Sequence, residues 1–148
     1  MAISIRLSEY LHTNAVSYNT VAHNPTFSSV NSALEAHVPI HQLVKAVILE
    51  DHEGRHLMAI LPASHKINMH KLGDDLCRSL HLAKEKQVYR LFNDCEQGAI
   101  PGLGDSYNID VVFDDLLDQQ RDIYLEGCDI STLVHLKQAE FHRLMAGH

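Results

Sequence analysis

The sequence predicts a single α+β domain built on a mixed, mostly antiparallel sheet. Its 148 residues suit one domain, which we place at residues 1–148. Short apolar segments of strand length alternate with amphipathic segments of helix length, as in proteins that combine both kinds of element. The apolar segments 43–50 and 56–61 are separated only by a short turn. They form a predicted hairpin, which favours antiparallel pairing.

Each element is assigned from the spacing of its apolar residues and from the residues that end it. Ser28 or Ser29 can cap the second helix and Asn68 the third, because these side chains accept hydrogen bonds from free backbone N–H groups. Pro39 and Pro62 end the segments that precede them. The predicted elements are, in chain order, helix 3–13, strand 16–22, helix 29–37, strand 43–50, strand 56–61, helix 69–80, helix 84–92, strand 109–113, strand 121–125, strand 132–136 and helix 138–145.

Charge is distributed unevenly along the chain. The net charge of −7 argues against indiscriminate binding of nucleic acid. Residues 55–90 nevertheless hold seven of the twelve Lys and Arg residues and carry a net charge of +4, whereas the rest of the chain carries −11. This basic segment is either a surface that attracts an anionic partner or a set of ordinary solvated helix surfaces.

Several protein classes are excluded by what the sequence does not contain. No apolar run approaches the roughly 18 residues of a membrane span, and the N-terminus lacks the apolar region of a signal peptide. Cys77, Cys95 and Cys128 are far apart and show no C-x-x-C pair, so we expect reduced thiols. The expectation is a cytoplasmic protein without a membrane partner.

Lys45 is unusual because it lies in the middle of the most apolar predicted strand. It shares one pleat face with Leu43, Val47 and Leu49. A buried ammonium is costly unless it is paired or faces a polar cavity. Lys45 is therefore either a functional cation in a pocket or a lysine that extends to the strand edge or pairs with an acid.

The second candidate feature is the glycine-rich loop 98–104, GAIPGLG. Such a loop exposes backbone N–H groups and permits close approach of a ligand. It is neither a phosphate-binding P-loop, since no Gly-Lys-Ser/Thr follows, nor a dinucleotide fingerprint, since it contains Pro101. A plain tight connection is the other interpretation.

Histidine and cysteine residues could also support metal binding or nucleophilic catalysis. The twelve His residues show neither H-E-x-x-H nor a Cys/His zinc spacing, so no metal or other cofactor is predicted. Cys95 with His65 or His135 as base would form a cysteine hydrolase. The acidic neighbours of Cys95 disfavour a thiolate, so this class is disfavoured.

A lysine in an apolar strand followed by the loop 98–104 makes the sequence similar to the YbaK family of aminoacyl-tRNA deacylases. This family is related to the editing domain inserted in bacterial prolyl-tRNA synthetases. The resemblance covers about residues 5–146, and its features follow the family's order. They are the strand ending in His23 (YNTVAHNP), the helix SVNSALEA, the lysine strand LVKAVIL, its partner HLMAILPASH, the segment INMHKL, the loop GAIPGLG, the strand VVFDD, and a terminal strand and helix after Gly127.

The resemblance implies both a fold and an activity. The sheet would be curved into a partly open barrel with helices around it. The activity would be hydrolysis of the 3′ aminoacyl ester of a mischarged tRNA, with a synthetase as a further partner and no DNA. Lys45 would be catalytic, holding and polarising the aminoacyl-adenosine end. The implied substrate-binding residues are Gly98, Ala99, Ile100, Pro101 and Gly102 of the loop and Ala46 beside the lysine. His65 and His135 are further candidates for the rim of the pocket, because the predicted topology ends their strands near the same place.

The implied reaction also predicts a geometry. Ester hydrolysis develops an oxyanion, which fixed N–H donors and a nearby cation stabilise. We therefore expect the loop N–H groups and the Lys45 ammonium to line one cavity, which Gly102→Val would narrow at little cost in stability. The sequence does not specify which tRNA or which amino acid is the substrate. A non-catalytic module that binds an aminoacyl or nucleotide group on the same scaffold is the alternative function.

Overall fold

A computed structural model describes residues 3–146, and it contains helices on both sides of β-structure. Polar side chains start several of the helices, as their sequence predicts. The Ser28 hydroxyl accepts a hydrogen bond from the Asn31 N–H at 3.3 Å, and Asn68 Oδ1 accepts one from the Lys71 N–H at 3.0 Å. The α-helices within this range are α1 (Ile5–Thr13), α2 (Ser29–Ala36), α3 (Met69–Leu76), α4 (Glu85–Leu91) and α5 (Gln138–Met145).

The strands of residues 3–146 form two sheets. Their bounds are β1 (Asn19–Ala22), β2 (Val44–Asp51), β3 (His56–Pro62), β4 (Leu80–Leu82), β5 (Asp110–Phe113), β6 (Asp122–Glu126) and β7 (Thr132–Lys137). One sheet has the order β4-β2-β3-β5 and is antiparallel except for the pair β3-β5. The other has the order β1-β7-β6 and is antiparallel throughout.

The main core lies between the two sheets. Alternate residues of β2 and β3 face alternate residues of β6 and β7 across it, and α1 and α5 close its ends. Its members include Leu11, Val44, Ile48, Ile60, Leu125, Val134 and Phe141. On the far side of the first sheet, α3 covers Leu49 and Leu57, and on the far side of the second, α2 packs Ala33 against Leu133.

The predicted fold class is confirmed. The domain is α+β and mostly antiparallel, and α1, α2, α4 and α5 lie within two residues of their predicted bounds. The β-structure is two sheets that an isolated bridge between Leu43 and Tyr124 connects, and they are not closed into a barrel. No helix within residues 3–146 is long and apolar enough to cross a membrane.

The predicted helix 69–80 is too long. It ends at Leu76, because Cys77 adopts a left-handed conformation with φ of 56°. The N–H of Arg78 then returns to the Gly73 carbonyl at 2.8 Å and closes the helix. Leu80 instead begins β4 opposite Asp51, a short strand that the apolar spacing did not indicate.

The expectation of reduced thiols is wrong for two of the three cysteines. Cys95 and Cys128 form a disulfide with a Cα–Cα distance of 4.2 Å, whereas Cys77 is free and exposed. The segment before the glycine-rich loop folds against the turn between β6 and β7, where the Glu96 N–H donates to the Cys128 carbonyl at 2.9 Å. A pairing across 33 residues has no local sequence signature.

Candidate functional site

A cavity of about 210 Å³ is lined by Ala46 of β2 and Glu126 of β6, which follow the bridged residues Leu43 and Tyr124 along the chain. The start of α2, a tyrosine of α4 and the glycine-rich loop complete its walls. Its lining consists of Phe27, Ser28, Ser29, Ala46, Tyr89, Gly98, Ile100 and Glu126. Three of these, Ala46, Gly98 and Ile100, are predicted site residues. The structure therefore brings the middle of the lysine strand and the start of the loop together.

The entrance of the loop is fixed by the conformation of Gly98. This residue has φ of +85°, and a Cβ built on it would lie 2.6 Å from the Phe27 carbonyl oxygen, so only glycine fits. Its N–H donates to the Tyr89 hydroxyl at 2.9 Å, and the Ala99 N–H donates to the Glu96 carbonyl at 3.1 Å. Among the described hydrogen bonds none uses the N–H of Ile100, which is the candidate donor to a ligand in the cavity.

The rest of the loop packs inward. Ala99, Pro101 and Gly102 are buried. A Cβ built on Gly102 would lie 2.6 Å from Val44 Cγ1, in the core between the sheets. The expectation that Gly102→Val would leave stability nearly unchanged is therefore wrong, because the added side chain would enter a packed core.

Lys45 does not share the cavity with the loop, and the prediction that both line one cavity is wrong. Successive side chains of a strand point to opposite faces, so Ala46 faces the cavity and Lys45 faces away from it. The Lys45 ammonium donates to the backbone carbonyl of His65, whose own side chain is exposed. Partial burial lowers the pKa of Lys45, and the nearby charge of Lys66 lowers it further.

His135, another predicted site residue, is held within the second sheet. Its Nδ1 lies 2.8 Å from Asn19 Oδ1 and its Nε2 lies 2.8 Å from Asp122 Oδ1. The ring also stacks on Tyr124, with 4.6 Å between ring centroids. The hydrogen bonds from Lys137 and His135 lower the pKa of Asp122. Because both ring nitrogens are engaged, His135 joins three strands and does not line the cavity.

Glu126 is the acidic side chain in the lining of the cavity, and it was not among the predicted site residues. The residue is 2% exposed, and neither carboxyl oxygen has a hydrogen-bond partner within residues 3–146. Burial raises the pKa of Glu126 to about 8, although the nearby Ser32 hydroxyl opposes this rise. The Ser32 hydroxyl itself is 2.6 Å from that of Thr26. Glu126 is therefore a buried carboxyl group beside an open space, with the neutral Ser32 hydroxyl nearby and no cationic side chain in the cavity lining.

A signal for Glu126 does exist in the sequence. It follows the apolar strand residues of DIYLE and directly precedes Gly127, so an acid stands at the end of a buried strand. The predicted strand stopped at Leu125 and left this residue outside. Phe27 and Tyr89 also line the cavity without having been predicted, because only the tertiary fold brings α2 and α4 to the loop.

The described residues contain one group of potential metal ligands. The Asp94 carboxylate and the sulfurs of Cys95 and Cys128 lie within 4.8 Å of one another. The two sulfurs form a disulfide and so offer no thiolate to a metal. The Asp94 carboxylate accepts a hydrogen bond from the Tyr107 hydroxyl at 2.7 Å. This group therefore fits a structural role around the disulfide better than a metal site.

A second cavity, of about 280 Å³, lies between α3 and the edge of the first sheet formed by β3 and β5. Lys66 and Lys71 line it together with the acids Asp75 and Asp114. Both lysines belong to the basic segment 55–90. The structure thus gathers part of this segment at one opening, on the side of the sheet that α3 covers.

Two sheets joined at a bridge, with a cavity against a glycine-rich loop, make up a small α+β domain with one candidate ligand site at the loop. Residues 23–144 match the family model described as the aminoacyl-tRNA editing domain, and the chain belongs to this family. The resemblance to YbaK-type editing domains is thereby confirmed. A search of curated proteins gave no match.

Solved structures support the same fold. A structure described as "a putative trans-editing enzyme for prolyl tRNA synthetase" has a TM-score of 0.82 at 17% identity, covering 97% of this chain and 91% of that one. A hypothetical protein has a TM-score of 0.83 at 19% identity, covering 95% and 93%. A "putative signal transduction protein" from Marinobacter aquaeolei has a TM-score of 0.79 at 18% identity. That match covers 97% of this chain but only 29% of the other, so the fold also occurs within longer chains.

Proposed function

We propose that the protein is an aminoacyl-tRNA deacylase that acts in trans on mischarged tRNA, in the cytoplasm where tRNA is charged. The observation that carries this proposal is the cavity beside the glycine-rich loop, which is lined by Ile100, a residue whose N–H has no described hydrogen bond. Membership of the editing-domain family supports it. The size of the cavity, about 210 Å³, suits the aminoacyl group of a small amino acid.

The proposed reaction uses the substrate, water, a fixed N–H donor and one cation of the protein. Water adds to the carbon of the 3′ ester, and the carbonyl oxygen becomes an oxyanion. The bond from that carbon to the ribose oxygen then breaks, and the ribose oxygen takes a proton that came from the water. In the proposed arrangement the Ile100 N–H donates to the oxyanion, and such a preorganised donor stabilises the transition state more than the substrate.

In the proposed mechanism Lys45 supplies the cation. Its ammonium is held by a neutral carbonyl, that of His65. We propose that it leaves this carbonyl when the tRNA end arrives and contacts the terminal adenosine outside the cavity, on the face of β2 opposite to that of Ala46. Ala46, Gly98 and Ile100 would surround the aminoacyl group, while Ala99, Pro101 and Gly102 hold the loop in place from the core.

A deacylation screen tests the activity. Mischarged tRNAs, led by Ala-, Cys- and Ser-charged tRNA for proline, are incubated with the protein, and release of the amino acid is followed. We expect at least one of them to be hydrolysed faster than in buffer. Binding without hydrolysis across the screen would instead support the non-catalytic module. A synthetase that makes the mischarged tRNA is the proposed further partner.

Lys45→Ala tests the proposed cation. We expect its deacylation rate to fall by roughly 10²–10³, the usual loss when one preorganised electrostatic group is removed. Arg121→Ala, a loss of the same charge at an exposed position outside the basic segment 55–90, is the matched control and should keep the wild-type rate. Wild-type turnover by Lys45→Ala would remove Lys45 from the mechanism, and equal unfolding temperatures of the two variants would show that folding is intact.

A further inference from the structure

We propose that Glu126 recognises the α-amino group of the aminoacyl substrate, an inference that rests on the proposed function. The carboxyl group lies in the lining of the same cavity as Ile100 and Ala46, at the end of β6. Alternation along β6 sends Leu125 into the main core and Glu126 to the other side, toward the cavity. The strand therefore presents a single acid to the space where the ester is expected.

Glu126 has no cationic partner in the cavity wall. Buried polar groups are nearly always hydrogen-bonded, and an unpaired one costs free energy of folding. Neither oxygen of Glu126 makes a well-formed hydrogen bond within residues 3–146, and the Ser32 hydroxyl, which lowers its pKa, is a neutral group that cannot balance a carboxylate charge. The titratable side chains in the lining are Glu126 and Tyr89, so no lysine or arginine of the cavity wall can pair with the carboxyl. A ligand with a cationic group would supply the missing partner.

The substrate class carries such a group at a fixed position. In every aminoacyl ester the α-amine is attached to the carbon next to the carbonyl carbon. A residue that binds the amine must therefore line the same cavity as the donor to the carbonyl oxygen, as Glu126 and Ile100 do. Binding conserves protons in either of two routes. A neutral amine takes the proton of the carboxylic acid, or an ammonium binds and the carboxyl group releases its proton to water. Both routes end in a carboxylate paired with an ammonium.

The contact would select substrates by their α-amine rather than by their side chain. An N-acylated or α-hydroxy ester has no cationic group to offer, so it would leave the carboxyl unpaired. Discrimination of this kind is strong when the site is built around a polar group, because the wrong ligand leaves that group buried without a partner.

The test uses two stable probes that are not hydrolysed. One is adenosine with alanine joined to its 3′ position through an amide, and the other is the same compound with lactate in place of alanine. Binding of both is measured for the wild type, for Glu126→Gln and for Glu53→Gln, an exposed control in the turn between β2 and β3. Loss of a charge-assisted hydrogen bond predicts a roughly 10- to 100-fold weaker binding of the alanyl probe by Glu126→Gln.

The lactoyl probe separates recognition of the amine from other roles. We expect its affinity to be the same in all three proteins. Equal weakening of both probes in Glu126→Gln would overturn the proposal, since it would assign Glu126 to the carbonyl or to the shape of the cavity. Unchanged binding of the alanyl probe would overturn it as well. Hydrolysis is not needed in this assay, so failure of the deacylation screen is a separate result.

A second measurement keeps the proposal testable if Glu126→Gln does not fold. The carboxyl of Glu126 in the wild type is followed by carbon-detected NMR while pH is varied, with and without each probe. The alanyl probe should lower the pKa of the carboxyl and the lactoyl probe should not. A pKa that neither probe moves would overturn the proposal without any variant.

Discussion

Gly102 allows the loop to pass close to the sheet, and this close approach has an energetic consequence. An added Cβ would lie 2.6 Å from Val44 Cγ1, while its distances to Ile60 and Leu125 are 3.4 Å and 3.5 Å. Gly102→Ala should therefore lower the free energy of unfolding by about 1–3 kcal/mol, the usual cost of overpacking a core. Urea unfolding followed by circular dichroism measures it.

A double-mutant cycle tests the cause. Val44→Ala removes the clashing methyl groups, so the double variant Gly102→Ala/Val44→Ala should be more stable than the sum of the single effects, by roughly 0.5–3 kcal/mol. Strict additivity would mean that Val44 is not the obstacle, and that the loop moves elsewhere to accommodate the new side chain.

For single residues, the sequence shows which positions are unusual more readily than it shows which face of the sheet each side chain lies on. Lys45 is conspicuous because its strand is apolar, yet Ala46 is the residue that faces the cavity. The pleat separates the two neighbours, and only the packing of the sheets decides which face meets the loop. Glu126 was missed for a related reason: whether a carboxyl at the end of a strand is solvated or buried depends on α2 and the loop, which are distant in sequence.

The hairpin of β2 and β3 is held at its turn by Asp51. Its carboxylate accepts hydrogen bonds from the N–H groups of Glu53 and Arg55, both at 2.9 Å, and from Arg55 Nε at 2.8 Å. Arg78, just before β4, lies 3.7 Å from the same carboxylate. Burial by itself raises the pKa of Asp51, but these hydrogen bonds and the arginine charge outweigh it and lower the pKa to about 2.

This pKa predicts how the hairpin responds to acid. A carboxylate with a lowered pKa in the folded state stabilises it at pH above about 4, the ordinary value for an unfolded Asp, and that stabilisation is lost as pH falls toward about 2. Asp51→Asn should abolish this part of the acid dependence of urea unfolding. Asp74→Asn, at an exposed position of α3, should retain it. Identical curves for wild type and Asp51→Asn between pH 4 and 2 would contradict the assignment.

Elements with strong local signals were predicted well, and those defined by distant contacts were not. The hairpin and the last helix follow from apolar spacing and turn residues within their own segments. The parallel pairing of β3 with β5 joins segments about fifty residues apart, and β4 is three residues long, too short for a recognisable pattern. The disulfide between Cys95 and Cys128 likewise depends on the return of the chain to the β6–β7 turn.

For the whole molecule, the separation of charge suggests how tRNA would approach. The chain is acidic overall, but the basic segment 55–90 places Lys66 and Lys71 at the cavity beside α3. The Lys45 ammonium lies near Lys66, and the charge of Lys66 adds to partial burial in lowering the pKa of Lys45. Lys45, Lys66 and Lys71 outnumber Asp75 and Asp114, the two acids of this cavity, and would touch few phosphates of a polyanion, which keeps binding selective for one end of the RNA.

The salt dependence of tRNA binding tests this orientation. With only seven Lys and Arg residues in the segment, we expect about two to four phosphate contacts and a slope of log affinity against log salt of roughly −0.7 for each single-stranded contact. Charge reversal in Lys66→Glu and Lys71→Glu should weaken binding and make the slope shallower, without altering which amino acid is removed. Arg121→Glu, the same change at an exposed site outside the segment, is the matched control. A slope near zero in the wild type would mean that the protein engages only the aminoacyl-adenosine end, and an equal loss in the control would mean that net charge, rather than the basic area, attracts the RNA.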